Sequence, residues 1–418
     1  MNTINSSSQI VRTGCCIVGG GPAGMVLGFL LARAGVEVLV LEKHSDFLRD
    51  FRGDTIHPST LELMYELGFL DDFLRRPHQE LPEIGAMIDD FEVGIADFSH
   101  LPTHCKFVAL MPQWDFLNFV AEKGKGYPQF HLRMEAEATE LIVENDRVVG
   151  VRAKTPEGII EVRADLTVGA DGRHSIVREK AGLEVIDLGA PIDVLWMRLP
   201  RLPSDPAQTL GRFRSGKILV TLDRGDYWQC AYVIPKGGFE RIQKKGLPAF
   251  REDIETVAPF LRGRTAEWKA WNEIKLLSVA VDRLRVWSRP GLLCIGDSAH
   301  AMSPIGGVGI NLAIQDAVAA ANILSQPLSD KTRVDERLRE VQNRRDFPTR
   351  MTQGFQVFAH KRFIGPALSS KTRIQRLPLP LRLLQRFSIL RRIPARMLGL
   401  GFRPEHVRSR DSRHSNIH

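Results

Sequence analysis

The chain has 418 residues, which is enough for two or three domains with sizeable cores. Its hydrophobic fraction of 43% and charged fraction of 25% are ordinary for a soluble globular protein. The five cysteines are scattered without paired spacing, so neither a metal site nor a redox dithiol is expected. The N-terminus lacks an apolar signal core and no apolar run reaches the length of a membrane span, so we expect a cytoplasmic protein.

Residues 15–41 predict a strand, a glycine-rich turn, a helix and a second strand. In dinucleotide-binding folds the first glycine of such a turn permits a tight bend, the second lets the backbone approach a pyrophosphate, and the third packs the helix on the sheet. Glu42 stands 18 residues beyond Gly24, where a carboxylate can accept a hydrogen bond from an adenosine ribose. This unit fits FAD and NAD equally. Its predicted cofactor-binding residues are Gly19, Gly21, Pro22, Ala23, Gly24, Glu42 and the adjacent Lys43.

The next part of the chain predicts helices and a hairpin. Thr60–Leu74 and Met111–Ala121 have helical patterns, the first broken near Gly68 and the second opened by a proline. Glu140–Val151 and Gly158–Val168 read as strands joined by turn residues. A second motif, Asp-Gly-Arg-His-Ser at residues 171–175, follows the last of these strands.

From about residue 191 to residue 280 the pattern changes to alternating strands. Val194–Leu199, Ile218–Leu222 and Tyr227–Ile234 are the clearest of them, and most of the tryptophans lie in or near this stretch. We interpret it as a separate sheet inserted into the nucleotide-binding fold, where it offers a face for a substrate.

A third motif, Gly-Asp-Ser-Ala-His at residues 296–300, follows an apolar strand that ends at Ile295. It leads into a glycine-containing segment, residues 304–311, that opens a further helix. Three such motifs in this order describe a pocket that encloses a whole FAD molecule. No second complete glycine fingerprint is present, which argues against a dedicated nicotinamide-binding domain.

At these three motifs the chain resembles the flavin-dependent aromatic hydroxylases, the class A flavoprotein monooxygenases that include para-hydroxybenzoate hydroxylase. The resemblance covers roughly residues 12 to 325. It implies an α/β fold, with a Rossmann-like FAD-binding domain of the glutathione-reductase type, an inserted β-sheet substrate domain and a helical C-terminus. We predict a discontinuous FAD-binding domain (1–82, 105–185 and 285–345), a β-rich substrate domain (83–104 and 186–284) and a basic helical C-terminal region (346–418).

The resemblance also implies roles for single residues. Asp297 is expected to accept a hydrogen bond from the ribityl chain of FAD, and Asp171 to serve both FAD and NAD(P)H, with Arg178 holding its loop. A helix N-terminus is expected to present backbone groups to the flavin ring, where its positive end stabilises the reduced anion. The cofactor-binding residues implied in this way are Arg52, Gln113, Asp171, Gly296, Asp297, Gly307, Gly309, Ile310 and Asn311.

No catalytic residue is assigned. Pro304 is a candidate because the resemblance places it near the flavin face, and His57 because a histidine pKa near neutrality suits proton handling. His300 is interpreted as structural.

The activity implied is that of a monooxygenase that consumes NADH or NADPH as a transient co-substrate. It would hydroxylate an aromatic, polyketide or quinone-precursor substrate with O2 through a flavin C4a-hydroperoxide. Two alternatives stay open: a flavin-dependent oxidoreductase acting on a lipid or isoprenoid at a membrane surface, and a non-catalytic prenyl-lipid binder. Cys230–Pro235 lacks the tryptophans of halogenases and of prenyl reductases, which disfavours both of those classes.

The positive charge is concentrated at the end of the chain. From Lys361 to His418 there are 14 Lys and Arg against 2 acidic residues, a charge of +12, whereas the other residues sum to −4. Apolar residues spaced by three and four predict an amphipathic, arginine-rich helix over Leu381–Met397, interrupted by Pro394. This helix either contacts an anionic membrane peripherally, at the inner membrane face, or packs on the body with solvated arginines. The tail has few aromatic residues and no recognised motif, so no nucleic-acid partner is expected.

Overall fold

A computed structural model describes residues 9–48, 55–206, 210–370 and 372–413. In chain order its strands are β1 (Gln9–Val18), β2 (Val38–Leu41), β3 (Thr55–Ile56), β4 (Gln79–Leu81), β5 (Glu83–Ile88), β6 (Phe91–Asp97), β7 (Val108–Leu110), β8 (Phe130–Arg133), β9 (Glu137–Glu144), β10 (Arg147–Thr155), β11 (Gly158–Gly169), β12 (Val185–Asp187), β13 (Ile192–Pro200), β14 (Leu210–Arg214), β15 (Lys217–Asp223), β16 (Tyr227–Pro235), β17 (Lys275–Leu277), β18 (Asp282–Leu284), β19 (Ser288–Arg289) and β20 (Leu292–Cys294).

The helices are α1 (Pro22–Arg33), α2 (Pro58–Glu66), α3 (Leu70–Leu74), α4 (Gln113–Gly124), α5 (Ile176–Lys180), α6 (Phe239–Lys245), α7 (Leu247–Val257), α8 (Val308–Ser329), α9 (Asp335–Ala359), α10 (Gly365–Ser369), α11 (Leu379–Arg386) and α12 (Arg392–Gly399). The predicted helix over Met111–Ala121 begins later, at Gln113, because the proline before it stands outside the helix as its N-cap.

The first sheet is the nucleotide-binding sheet. Its strands follow the order β19-β20-β11-β1-β2-β8, and β10 and β9 extend it from β11. Strands β20, β11, β1, β2 and β8 run parallel, so their carboxyl ends meet along one edge. Helix α1 packs closely on this sheet because Gly28 has no side chain: a Cβ there would lie 2.7 Å from Val40 Cγ2. These features match the predicted α/β fold class.

The second sheet has the strand order β17-β13-β16-β15-β14-β5-β6. Strands β5 and β6 come from residues 83–97, and the remaining strands come from residues 192–277. One face is covered by α7, whose Phe250 and Ile254 belong to the same buried core cluster as Trp228, with the Phe250 ring 5.5 Å from that of Tyr232. Helices α6 and α7 were not predicted in this stretch, although the spacing of Phe250, Ile254 and Val257 is that of a helix face. The domain boundaries themselves stay predictions.

Helix α8 is largely apolar. The segment Ile305–Ser329 is long and apolar enough to cross a membrane, yet 72% of its apolar window is buried inside the protein. It packs against α1 and α9, and its residue Gln326 is exposed near the C-terminal end. This is the environment of a central, largely buried helix.

The C-terminal region contacts the second sheet and the helices of the first domain. Helices α11 and α12 lie across β6, the edge strand of the second sheet, and so cover its unpaired side. Residues 403–413, here called the C-terminal strap, return to the first domain, where Ser412 N donates to Arg33 O at 2.8 Å.

The predicted single tail helix is wrong in one respect. The helix breaks at Phe387, and Pro394 lies in the first turn of α12. A first-turn proline lacks only an N–H that has no partner within the helix, so it does not interrupt it.

Candidate active site

The three motifs converge at the carboxyl edge of the first sheet. Gly19 has a φ of +109°, and a Cβ there would lie 2.3 Å from the carbonyl oxygen of Ala170, so the first and second motifs touch. Gly296 has a φ of +60°, and its Cβ would lie 3.1 Å from Cβ of Ala23, so the third motif meets the start of α1. Only glycine fits both positions, because other residues rarely adopt these φ values and the space is filled.

The glycine-rich turn leaves one open side. A Cβ on Gly24 would lie 2.0 Å from Gly19 O, which fixes the turn against the helix. A Cβ on Gly21 would meet only one atom within 4 Å, Ala170 O at 4.0 Å. Helix α1 begins at Pro22 and no side chain caps it, so its N-terminal N–H groups are left for a ligand.

Glu42 ends β2 beside this turn. Its Oε2 accepts a hydrogen bond from Gly20 N at 3.0 Å and its Oε1 accepts one from His44 N at 3.1 Å. Lys43 next to it is exposed. The structure therefore brings Glu42 to the glycine turn, at the place where the sequence predicts the adenosine ribose.

Asp171 is turned into the protein. It accepts hydrogen bonds from Ser175 Oγ at 2.5 Å and from Val177 N at 3.2 Å, and burial raises its pKa. Arg178 donates to Arg173 O in the same loop and to Asp282 Oδ1 at 3.2 Å. Asp171 thus shapes the turn that supports the glycine loop, and Arg178 holds that turn as expected from the resemblance.

Helix α8 starts at the third motif's glycine segment. Its N-cap, Gly307, has a φ of +62°, and its carbonyl oxygen accepts from Thr55 Oγ1 at 2.9 Å. Asn311 Oδ1 accepts from His57 N at 3.0 Å and from Thr60 Oγ1 at 2.7 Å. The Asn311 side chain therefore ties α8 to the β3–α2 turn. No side chain caps α8, so the first-turn N–H groups around Gly309 and Ile310 stay open.

Asp297 and Gln113 are both half-buried, Asp297 just after β20 and Gln113 at the first position of α4. Within the described ranges, the carboxylate of Asp297 has no hydrogen bond or ion pair. Arg52 lies outside the described residues. These features fit FAD. The open side of the glycine turn and the uncapped start of α1 suit its phosphates, and the uncapped start of α8 suits the flavin ring. The unpaired carboxylate of Asp297 suits the ribityl hydroxyls.

The pKa of His57 differs from the value expected from the sequence. Its ring is buried, and burial lowers its pKa to about 4, although the ring nitrogen Nδ1 lies 2.6 Å from Leu398 O. The expectation of a pKa near neutrality is therefore wrong, because the charged ring would lose its water. Among the described residues no partner reaches its Nε2. His57 joins α12 to the start of α2.

A buried ionic network lies behind the third motif, and the sequence did not reveal it. Asp316 Oδ2 lies 2.6 Å from His300 Nε2 and accepts from Gly296 N at 3.1 Å. Asp316 Oδ1 accepts from Arg345 Nε at 2.9 Å, and Arg345 also pairs with Glu405 at 3.4 Å. His300 is thus a structural residue, as interpreted. A single aspartate inside an apolar helix was the available signal, since such a charge must find a partner.

Comparison with known proteins places the chain in a family. A family model described as an FAD-binding domain matches residues 12–354. The chain is 32% identical over 396 residues to 6-methylpretetramide 4-monooxygenase of Streptomyces rimosus, covering 91% of this chain and 92% of that protein. It is 28% identical over 310 residues to rifampicin monooxygenase of Streptomyces venezuelae, covering 72% of this chain and 61% of that protein. The crystal structure of p-nitrophenol 4-monooxygenase from Pseudomonas putida matches with a TM-score of 0.74 at 20% identity, covering 93% of this chain and 97% of that one.

The chain belongs to the FAD-binding-domain family of FAD-dependent aromatic monooxygenases. It is an FAD-dependent oxidoreductase, and the predicted family, fold class and cofactor are confirmed. FAD, when bound, supplies the transfer of electrons from a nicotinamide to O2. The protein binds and orients the cofactor, holds the substrate beside it and excludes water. The assignment of single residues to the cofactor stays a prediction.

Proposed function

We propose that the chain hydroxylates a polycyclic aromatic substrate of the polyketide type, with NADH or NADPH as the electron donor. The observation that carries this proposal is the 32% identity to 6-methylpretetramide 4-monooxygenase over nearly the whole length of both proteins. In the balanced reaction NAD(P)H, a proton, O2 and the aromatic C–H give NAD(P)+, water and the phenol. The relatives named here act on aromatic compounds, which disfavours the lipid and isoprenoid alternatives.

An apolar face of the second sheet, opposite α7, supports an apolar substrate. It carries Val194, Trp196, Ala231 and Val233, which belong to one apolar cluster with Ile305 of the third motif's segment and with Ile364 and Leu368, which pack against it. Apolar walls of this kind hold a ring system by contact area and leave its orientation to a few polar groups. This cluster connects the second sheet to the segment that follows the third motif. The resemblance places the flavin beside this segment, and hydroxylation requires an aromatic carbon of the substrate to lie next to the flavin.

The test is a substrate screen with the FAD-loaded protein. Phenols, quinone precursors and polycyclic polyketides are supplied with NADH or NADPH, and NAD(P)H consumption and product mass are followed. With ¹⁸O-labelled O2, a true substrate should accelerate NAD(P)H oxidation and gain one labelled oxygen atom. NAD(P)H oxidation that yields only hydrogen peroxide with every polycyclic aromatic compound would contradict the proposed substrate class.

A matched pair of variants tests the cofactor site. Asp297→Ala should lose flavin absorbance after purification, because the ribityl chain loses its acceptor, whereas Asp330→Ala at the far end of α8 should keep it. Full FAD occupancy in Asp297→Ala would contradict the assigned role.

We propose in addition that the tail contacts an anionic membrane surface, so that a cytoplasmic protein is held peripherally at the inner face. Two observations support this contact. Leu379, Phe387, Ile389 and Ile393 are each at least half exposed. From Lys361 to Pro404 there are 11 Lys and Arg and no acidic residue. Each basic side chain near such a surface contributes about 1 kcal/mol.

Vesicle flotation tests the membrane contact with the full chain. Binding to phosphatidylglycerol vesicles should exceed binding to phosphatidylcholine vesicles and should fall in Ile393→Glu, with Ile159→Glu, an equally exposed apolar position on β11, as the control. Equal flotation of Ile393→Glu and the parent protein would refute the contact. A concentration-dependent dimer that Ile393→Glu abolishes would instead assign this surface to a second copy.

A further inference from the structure

Helix α9 and the first residue of the turn that continues it present three buried polar side chains to the segment that joins the third motif to α8. Gln353, Gln356 and His360 are at most 1% exposed. Their spacing of three and four places them on one face of the helix. Buried polar groups of this kind are retained with hydrogen-bond partners, and each of the three has a partner within residues 301–305. Gln353 also donates to Asp282 O at 2.7 Å and accepts from Arg283 Nη1 at 3.2 Å.

The side-chain amide of Gln356 forms hydrogen bonds with the backbone of Ser303 and of Ile305. Its Oε1 accepts from Ser303 N at 3.0 Å, and its Nε2 donates to Ser303 O at 2.9 Å and to Ile305 O at 3.1 Å. One amide thus fills the role that a neighbouring strand fills in a sheet. Gln353 adds a donor to Ala301 O at 3.1 Å.

His360 fixes the side chain of the same serine. Its Nε2 lies 2.9 Å from Ser303 Oγ, which also accepts from Ile305 N at 3.3 Å. Burial lowers the pKa of His360. Directly at this residue the helix passes into a π-helical turn, His360–Ile364. Such turns are rare and occur frequently at functional sites.

We propose that Gln356 and His360 are positioning residues that hold the segment around Pro304 against the bound flavin. Pro304 is the neighbour of Ser303 and is half-buried at the turn that leads to α8. The segment then bends through Gly306 and Gly307, which both have positive φ and supply no side-chain restraint of their own. The α9 side chains supply that restraint from outside. The family model ends at residue 354, so Gln356 and His360 belong to the part of this chain beyond it.

This inference rests on the flavin-facing role of the segment and not on the identity of the substrate. It therefore survives if the proposed polyketide substrate is wrong, and it is tested by cofactor binding without any substrate.

The decisive comparison is between two glutamines of α9. Gln356→Leu removes the bonds to Ser303 and Ile305. Gln342→Leu removes an equivalent pair, in which Gln342 Oε1 accepts from Trp287 N at 3.1 Å and Nε2 donates to Arg285 O at 3.0 Å, away from the flavin segment. FAD affinity is measured by quenching of flavin fluorescence on the FAD-free protein, together with the visible flavin spectrum and the melting temperature.

We expect Gln356→Leu to weaken FAD binding about tenfold and to change the shape of the flavin absorption band. Gln342→Leu should lower the melting temperature with the affinity and spectrum unchanged. Equal FAD affinity and an unchanged spectrum in Gln356→Leu would overturn the proposal. If Gln356→Leu fails to fold, Gln356→Glu is used instead, since it keeps the shape and loses the donated bonds.

The role of His360 is tested by comparing a variant that removes its hydrogen bond with one that restores it. His360→Leu should weaken FAD binding and, without substrate, raise the rate at which NADPH is oxidised with formation of hydrogen peroxide, because the segment is less firmly held. His360→Gln places an amide near Ser303 and should restore both toward the parent values. Unchanged values in His360→Leu would remove this residue from the proposal.

Discussion

Removing the charge of Asp316 should strongly destabilise the protein. Asp316 is 0% and Arg345 1% exposed, and the carboxylate contacts Arg345, His300 and Gly296 N. Burial raises the pKa of Asp316, but attraction to and hydrogen bonds from His300 and Arg345 outweigh it and hold the pKa below its ordinary value. Breaking a buried pair by removing one partner costs about 3–5 kcal/mol, because the other charge stays uncompensated. We therefore expect Asp316→Asn to lower the free energy of unfolding by about 3 kcal/mol or more.

The assay is urea unfolding at neutral pH with saturating FAD, followed by tryptophan fluorescence, since Trp287 packs on His300. The control is Asp346→Asn on α9, whose pair with Arg350 spans 3.5 Å between side chains that are 61% and 32% exposed. Exposed pairs contribute about 0–1 kcal/mol, so this variant should stay near the parent. A loss below 1 kcal/mol in Asp316→Asn, or equal losses in the two variants, would refute the assignment of a stabilising buried network.

Three further predictions concern pH and the glycine turn. Because the folded pKa of His57 is about 4, stability should fall by roughly 3 kcal/mol from pH 6.5 to pH 4, and His57→Gln should flatten that slope in urea titrations. Burial raises the pKa of Asp205, but hydrogen bonds led by the one from Arg264 outweigh it and hold the pKa at about 2. Asp205→Asn should therefore destabilise at pH 7 and much less near pH 2; an equal loss at both would contradict this. Gly24→Ala should yield protein without flavin absorbance, since its Cβ would lie 2.0 Å from Gly19 O.

The parts of the fold that follow from local pattern could be predicted. Apolar runs and glycine motifs gave the strands and turns that meet at Gly19 and Gly296, because these signals lie within a few residues. Helix α7 was missed because the tryptophans and alternating runs around it drew the interpretation toward strands. The lowered pKa of His57 could not be foreseen, because it is caused by burial of the ring, and α12, which contacts that ring through Leu398, lies 341 residues away.

The buried ionic network could not be predicted from the sequence for the same reason. Asp316, Arg345 and Glu405 lie on α8, α9 and the C-terminal strap, and no periodicity connects them. An isolated charged residue in an apolar helix predicts that an oppositely charged partner exists, but it does not identify the partner residue. In the tail, composition predicts a helical C-terminus, which the structure has, although as separate helices and not as one. The packing of these helices on β6 could not be predicted, because that sheet edge lies far away in sequence.

The C-terminal strap has a consequence for the order of folding. Val407 N donates to Glu66 Oε2 at 2.8 Å, Arg33 Nη1 donates to Ser409 O at 2.7 Å, and Glu405 N donates to Gln315. The first domain is thus completed by hydrogen bonds between residues far apart in sequence, 376 positions apart in the case of Arg33 and Ser409. Helices α1 and α2 lack these bonds until the strap docks, and until then the buried guanidinium of Arg345 has only one of its two carboxylates. Such non-local contacts require the closure of a long loop, so docking of the strap is expected to be a late step in folding.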